Sequence, residues 1–270
     1  MNTEIFVSEN DKKKMEIIKI FHENVRNIEI NLENYSSGHD GKEGHWLESK
    51  MGLNRNSKNE PDMYGFELKK SSSKITLGDF SASEYLFSKT RITLDKENRF
   101  DCEFKLDRRD FIRYFGTPNP AKNNRYSWSG KCVPTYGVWN TCGQTLSVSE
   151  NNDICVYYSF SLDGRVEKHS FPNCLKNDNI MIAIWKHEKL EKNINNKFNV
   201  NGFFMCVKNE NNVYNKIKFG KPFDFICFIE NIKNKNIIFD SGMYEGNNRN
   251  YSQFRANKKN FWDLLLVDEY

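Results

Sequence analysis

Apolar residues recur at spacings of three and four between Asp11 and Ile30 (Met15, Ile18, Phe21, Val25, Ile28), which predicts an amphipathic helix there. A second, shorter helix is predicted from Gly44, with Trp46, Leu47, Lys50 and Met51 on neighbouring turns and Gly52 as terminator. Polar turns precede and follow it, over 36–41 and 54–60. The pattern then changes period. Phe66, Glu67, Leu68 and Lys69 alternate apolar with charged, as in a half-buried strand, so Phe66 and Leu68 face a core while Glu67 and Lys69 share the other face. Gly65, free to take a left-handed conformation, lets the chain bend so that Asp62 returns beside Glu67. Ile75 to Phe87 continues the sheet, and Arg91 to Arg113 reads as a solvated, highly charged face.

The last third reads as strands and hairpins. Ile154–Leu162 and Val166–Phe171 flank Asp163-Gly164, a short hairpin signal. Ile180–Trp185 is a buried strand, and Gly202–Val207 and Val213–Phe219 flank a polar turn. A helix at Phe223–Ile232, a strand at Asn236–Asp240, a short strand carrying Arg255 and a terminal helix at Phe261–Val267 complete the prediction.

Composition narrows the class. A chain of 270 residues with 38% hydrophobic and 14% aromatic content can bury a substantial core, which excludes wholesale disorder. The net charge of +4 permits a polyanionic partner without requiring one, so local basic faces matter more than the total. Seven cysteines, scattered with no Cys-x-x-Cys pair, fit neither a zinc site nor a disulfide framework, and suit a reducing compartment. The acidic start of the chain (Glu4, Glu9, Asp11) is not a signal peptide, and no run approaches the ~18 apolar residues of a membrane helix. The expectation is a cytoplasmic protein.

The candidate chemistry converges on 61–70. Asp62 and Glu67 bring two carboxylates to one strand end, and Lys69 adds an ammonium. A hard cation such as Mg²⁺ takes one or two carboxylates plus substrate phosphate and water, and a lysine beside it can hold the attacking water. That makes a site for phosphodiester hydrolysis, although the bare pattern also describes an ordinary charged edge strand. Glu48, at the flank of the apolar face of the second helix, can look into the same site. Three further segments suit DNA. Lys70, Ser72 and Lys74 form a basic, hydroxyl-rich run after the strand, fit for phosphates. Arg125 and Lys131 lie in an irregular segment, Thr117 to Gln144, where basic residues interleave with aromatics. Arg249, Tyr251, Gln253 and Arg255 lie in or just after a Gly- and Asn-rich loop. Arg, Asn and Gln are the side chains that pair bidentately with purine edges.

On these residues the chain resembles a known family. Gly44-x-x-Leu47-Glu48-x-x-x-Gly52, then Pro61-Asp62 and Gly65-x-Glu67-Leu68-Lys69, is similar to the core of MutH-like endonucleases. These comprise the mismatch-repair nicking enzyme MutH and the Type II restriction enzymes related to MvaI and BcnI. Ser241-Gly242-x-Tyr244 and Phe254-Arg255-x-Asn257 are similar to the end of the MvaI/BcnI branch. The resemblance implies an α/β (α+β) fold: a PD-(D/E)xK core of mixed sheet flanked by helices, with a β-rich second lobe forming a DNA cleft. It implies catalysis by Glu48, Asp62, Glu67 and Lys69, with Mg²⁺ on Asp62 and Glu67, Glu48 orienting Lys69 or the metal shell, and Arg255 reading a base. The expected division is a catalytic lobe over 1–150 and a β-rich recognition lobe over 151–270. The implied activity is site-specific cleavage of double-stranded DNA leaving 5′-phosphate ends, by a monomer whose system includes a DNA methyltransferase. The sequence departs from that branch at Asn250-Tyr251-Ser252-Gln253, where a His-Asp-His-Gly stretch is usual, and just before Ser241-Gly242, where Asp240 or its neighbour replaces an arginine. The scaffold therefore transfers better than a CC-N-GG-type target. Two other readings stand beside this one: a MutH-like strand-nicking repair endonuclease, and a non-catalytic sequence-specific DNA-binding protein.

Overall fold

The fold follows from where the sequence can bury aromatic and branched residues on one side of a short strand while hiding charge on the other. The computed structural model describes residues 8–33, 35, 41–53, 59–88, 91–94, 100–103 and 105–270, with only the backbone described at 91–94 and 100–103. Most of the polar turns expected over 36–41 and 54–60 lies outside the described residues, as does part of the charged face expected after Arg91. In chain order the elements are α1 (Glu9–Asn24), α2 (Lys42–Lys50), β1 (Glu67–Lys70), β2 (Lys74–Asp79), β3 (Glu84–Tyr85), β4 (Arg91–Leu94), β5 (Phe100–Glu103) and α3 (Arg108–Phe115). Then come β6 (Thr117–Asn119), β7 (Arg125–Trp128), β8 (Cys142–Val148), β9 (Ile154–Asp163), β10 (Ile180–Trp185) and α4 (His187–Phe198). The chain ends with β11 (Phe203–Lys208), β12 (Tyr214–Gly220), α5 (Phe225–Lys233), β13 (Ile237–Ser241), β14 (Met243–Tyr244), β15 (Ser252–Asn257) and β16 (Leu266–Glu269).

These elements form two compact units that interleave in sequence. The first is 1–75, 193–225 and 257–270; the second is 76–192 and 226–256. The units thus cross the boundary expected at residue 150, because the strand that pairs with β1 lies more than 130 positions downstream of it.

In the first unit a four-stranded mixed sheet runs in the order β1-β11-β12-β16. β1 pairs parallel with β11, Glu67 opposite Phe203 and Lys69 opposite Met205, while β11–β12 and β12–β16 are antiparallel. One face of this sheet (Phe66, Leu68, Phe204, Cys206, Ile217, Phe219) packs on Ile17, Ile18, Phe21 and Val25 of the α1 segment and on Trp46, Leu47 and Met51 of the α2 segment. Each such side chain contributes roughly 1.5–3 kcal/mol when fully buried. The α1 register differs from the expectation. Ile17 is buried and Met15 is 58% exposed, and the helix stops at Asn24 as the chain turns through Asn27 (φ 59°), whose N–H bonds the Tyr214 carbonyl.

In the second unit the sheets are β3-β10-β9-β8, β13-β15-β2, β14-β7-β6 and β4-β5, around an aromatic core of Phe111, Phe115, Trp128, Tyr158, Trp185, Phe239 and Phe254. Two expectations are corrected here. Val166–Phe171 is not the second strand of a hairpin: Val166–Ser170 is a 3₁₀ turn. The buried Asp163 carboxylate accepts from the backbone N–H, Nε and Nη2 of Arg165, which turns the chain away while β9 pairs with β8 and β10 instead. Thr117–Gln144 is not irregular throughout, since it holds the strands β6 and β7, and Trp128 is buried with its indole N–H bonding the Gln144 side chain, which in turn donates to the Phe115 carbonyl. In the first unit the chain end is corrected too: after helical turns over 258–265 it closes as β16 against β12, not as a helix to Val267. Among the described residues no helix is long and apolar enough to cross a membrane.

Candidate active site

The site is built by a two-residue turn. Met63 and Phe66 exchange backbone hydrogen bonds (3.0 and 2.8 Å), and the two residues between them, Tyr64 and Gly65, have φ of 49° and 84°. Positive φ at both central positions is the turn whose twist matches a β-ribbon, and it places Asp62 across from Glu67. The Asp62 carboxylate then accepts the Leu68 N–H at 2.8 Å. Gly65 is required twice over: its φ favours glycine, and a Cβ there would come within 2.6 Å of Asn201 Nδ2 and 2.9 Å of Val200 Cγ1. Asn201 closes this corner by donating to the carbonyls of Gly65 (3.0 Å) and Tyr64 (2.7 Å).

β1 departs from the half-buried pattern because both its faces are covered. Glu67 and Lys69 are 3% and 9% exposed. Lys69 Nζ lies 2.8 Å from Glu67 Oε1 and 5.3 Å from the centre of the Phe198 ring. A second ammonium, Lys197 Nζ near the end of α4, is 3.0 Å from the same Glu67 oxygen. Two cations thus converge on Oε1, whereas the other oxygen, Oε2, is buried with no hydrogen-bond partner. A buried carboxylate oxygen left without a donor carries a large desolvation cost unless something arrives to use it.

Burial and the neighbouring charges also shift the two groups that flank Glu67. Burial, aided by the nearby Glu67 charge, pushes the Asp62 carboxyl up to about 7, against the opposing pull of Lys69, the Leu68 N–H and Lys197. Burial, with Lys197 nearby, moves Lys69 below the usual lysine range despite its bond to Glu67. Asp62 and Glu67 fit a hard divalent ion that keeps water and phosphate among its ligands, which asks for only one or two protein carboxylates. Among the described residues no group of three or more His, Cys, Asp or Glu is placed to hold a metal on protein ligands alone.

The other expected residues fall at different places. Glu48 sits on α2 with its side chain 42% exposed, 3.3 Å from His45 Nδ1. Lys70 is tied to Glu43 at 3.1 Å; Glu43 also receives Tyr214 Oη (2.6 Å) and Lys208 Nζ (2.9 Å), and these partners hold its carboxyl below the usual range although burial opposes them. Ser72 donates to the Lys74 carbonyl at 2.8 Å, and Lys74 is exposed. In the second unit Arg125 stacks on Tyr244 (3.7 Å to the ring centre), Lys131 is exposed and Arg249 stacks on Tyr251 (4.5 Å). Arg255 bonds Gln253 and faces Asp240. The loop 244–250 is pinned from α3: Arg108 donates to the Asn247 and Arg249 carbonyls and to Asn250 Oδ1, and Arg113 reaches Glu245 at 2.6 Å.

Lys197, Arg108 and α4 itself escaped the sequence reading. α4 had a signal, Leu190, Ile194 and Phe198 at intervals of four, all buried. Nothing local marks Lys197, because its partner is 130 residues away.

The profile of the LlaMI restriction endonuclease family matches residues 25–270. The chain belongs to that family. It is 39% identical over 269 residues to the Type II restriction enzyme ScrFI of Lactococcus lactis subsp. cremoris, a match covering 94% of this chain and 97% of that one. Among solved structures, the complex of restriction endonuclease MvaI with its cognate DNA substrate superposes with a TM-score of 0.56 at 14% identity, covering 97% of this chain and 98% of that one. That likeness establishes a restriction-endonuclease-like α+β fold, as the motif resemblance implied. Family membership makes the chain a Type II restriction endonuclease, a site-specific deoxyribonuclease. Enzymes of this type generally work with a divalent metal.

Proposed function

We propose that this enzyme cuts both strands of duplex DNA at one short sequence, with Mg²⁺ held by Asp62 and Glu67, leaving 5′-phosphate ends. The observation that carries this reading is the buried, partnerless Oε2 of Glu67 beside the Asp62 carboxyl at the mouth of a tight turn. Bound there, Mg²⁺ would supply neutralisation of charge at the scissile phosphate and a more acidic water. The chain's own residues do the rest. Lys69 orients the attacking water and stabilises charge on the phosphate, and Lys197 shares with it the fixing of Glu67 Oε1, so that the second oxygen keeps one direction. Glu48, on α2, acts through the outer shell of the site.

DNA contacts are assigned by chemistry. Ser72, Lys74 and Lys131 are exposed hydroxyl and ammonium groups suited to phosphates. Lys70 joins them only if it leaves Glu43. Arg125, Arg249 and Tyr251 form cation-on-ring pairs, and Gln253 and Arg255 stand on a strand after the pinned loop. The second unit is therefore assigned recognition and the first catalysis, which replaces the expected split at residue 150. We assign action as a monomer, in a system with a protecting DNA methyltransferase.

Digestion of a long DNA of known sequence tests the reading. In Mg²⁺ the expected products are double-strand breaks at one recurring sequence with ligatable 5′-phosphates, and EDTA abolishes them. Open circles alone from a supercoiled plasmid would instead establish a nicking enzyme, and sequence-specific binding without any cleavage a non-catalytic module.

A further inference from the structure

β13 and β15 are antiparallel, with Phe239 opposite Phe254, Ile238 opposite Arg255 and Asp240 opposite Gln253. Alternation sends Ile237, Phe239, Ser241, Ser252, Phe254 and Ala256 into the core. The other face of the ribbon carries Ile238, Asp240, Gln253 and Arg255, all partly exposed. On that face Gln253 Oε1 accepts two hydrogen bonds from one guanidinium, from Arg255 Nε (3.1 Å) and Nη2 (2.7 Å). Asp240 Oδ2 lies 3.3 Å from Arg255 Nη1, on the remaining terminal nitrogen.

A guanidinium has five N–H donors in one plane. Gln253 occupies the inner edge, which leaves an N–H on each terminal nitrogen pointing past the braces. Two parallel donors at that spacing match the O6 and N7 acceptors of guanine in the major groove, a pairing that no other base edge offers. An exposed ion pair on a sheet face adds little stability. Braces on both sides of an arginine therefore make better sense as orientation than as support of the fold.

We propose that Gln253 and Asp240 are positioning residues that hold the Arg255 guanidinium so that its two terminal nitrogens read one guanine of the target. This rests on the reading of the chain as a sequence-specific nuclease, and it makes Gln253 a brace and not itself a reader of bases.

The test uses the full chain on duplexes carrying its own cleavage sequence, found by sequencing the ends cut from a randomised duplex library in Mg²⁺. Each guanine of that sequence is then replaced in turn by 7-deazaguanine, which lacks N7. The wild type is expected to lose about tenfold in cleavage rate at one guanine through this contact. Gln253→Leu should abolish the 7-deaza effect at that guanine and accept other bases there, while Gln253→Glu, which keeps the acceptor, retains the preference. Asp240→Asn should weaken the preference in part. If Gln253→Leu slows all sequences equally and keeps the 7-deaza effect, the brace is refuted. If Arg255→Met, which removes every donor, keeps every base preference of the wild type, Arg255 does not read DNA and the inference also falls. A wild type that cuts with no preferred sequence would instead overturn the site-specific reading on which the inference rests.

Discussion

Asp62 and Glu67 are both acids on one short ribbon, yet their surroundings divide their work. Glu67 is held by two ammoniums on one oxygen, whereas Asp62, only partly buried, accepts from the Leu68 N–H. Burial, with the Glu67 charge beside it, pushes Asp62 up to about 7 from its ordinary 3.8. The folded protein therefore holds a proton that the unfolded chain releases, so stability is fully present below the ordinary value and is lost as pH rises toward 7. Asp62→Asn removes that loss. In EDTA at pH 8 the variant should be more stable than the wild type by an amount on the order of 2 kcal/mol, discounted because Asp62 keeps some solvent contact, and so should melt at higher temperature. The advantage should shrink as pH falls from 7 toward 4. Equal melting of the two proteins at pH 8 would show that Asp62 ionises there without cost. That Asp62, Glu67 and Lys69 gather at one place was legible because they lie within eight residues of one another. Lys197 was not, since only the parallel pairing of β1 with β11 brings its helix to the site.

At the scale of elements, the turn at Tyr64-Gly65 is what makes a site out of a strand. Its geometry was readable from Gly65 followed by alternating residues, and the α2 helix, the strands β10 to β13 and α5 were likewise readable from periodicity and turn residues. Failures came where side-chain bonding overrode pattern. Asp163 and Arg165 turned an apparent hairpin into a 3₁₀ segment, and pairing with β12 drew the chain end into a strand. Local pattern cannot report a partner distant in sequence. Gly65→Ala tests the turn. A left-handed alanine costs about 1–2 kcal/mol, and the added carbon must displace Asn201 and Val200, so Asp62 shifts from Glu67. The variant should still fold at 20 °C, unfold at lower urea concentration, and cleave DNA more than about tenfold more slowly, since misplacement by an ångström can cost about 100-fold. Wild-type cleavage by the folded variant would mean that the turn does not set the position of Asp62.

For the whole molecule, interleaving matters more than length. The chain leaves the first unit after Ile75, builds the second, returns through α4 with Lys197, leaves again in α5 and comes back at Asn257. The division expected at residue 150 is crossed because local sequence does not record which distant strands pair. The proposed catalytic groups come from one hairpin, Asp62 to Lys69, and from a later return of the chain at the end of α4, which brings Lys197. Single-turnover cleavage by Glu67→Gln tests this assembly most directly, with duplex binding in Ca²⁺ measured on the same protein. Glutamine keeps the size of the side chain and removes the charge that the two lysines share and that a metal ion would use. The rate should fall by about 1,000-fold or more, with duplex affinity in Ca²⁺ changed by no more than a few-fold. Cleavage by Glu67→Gln at the wild-type rate would contradict the account.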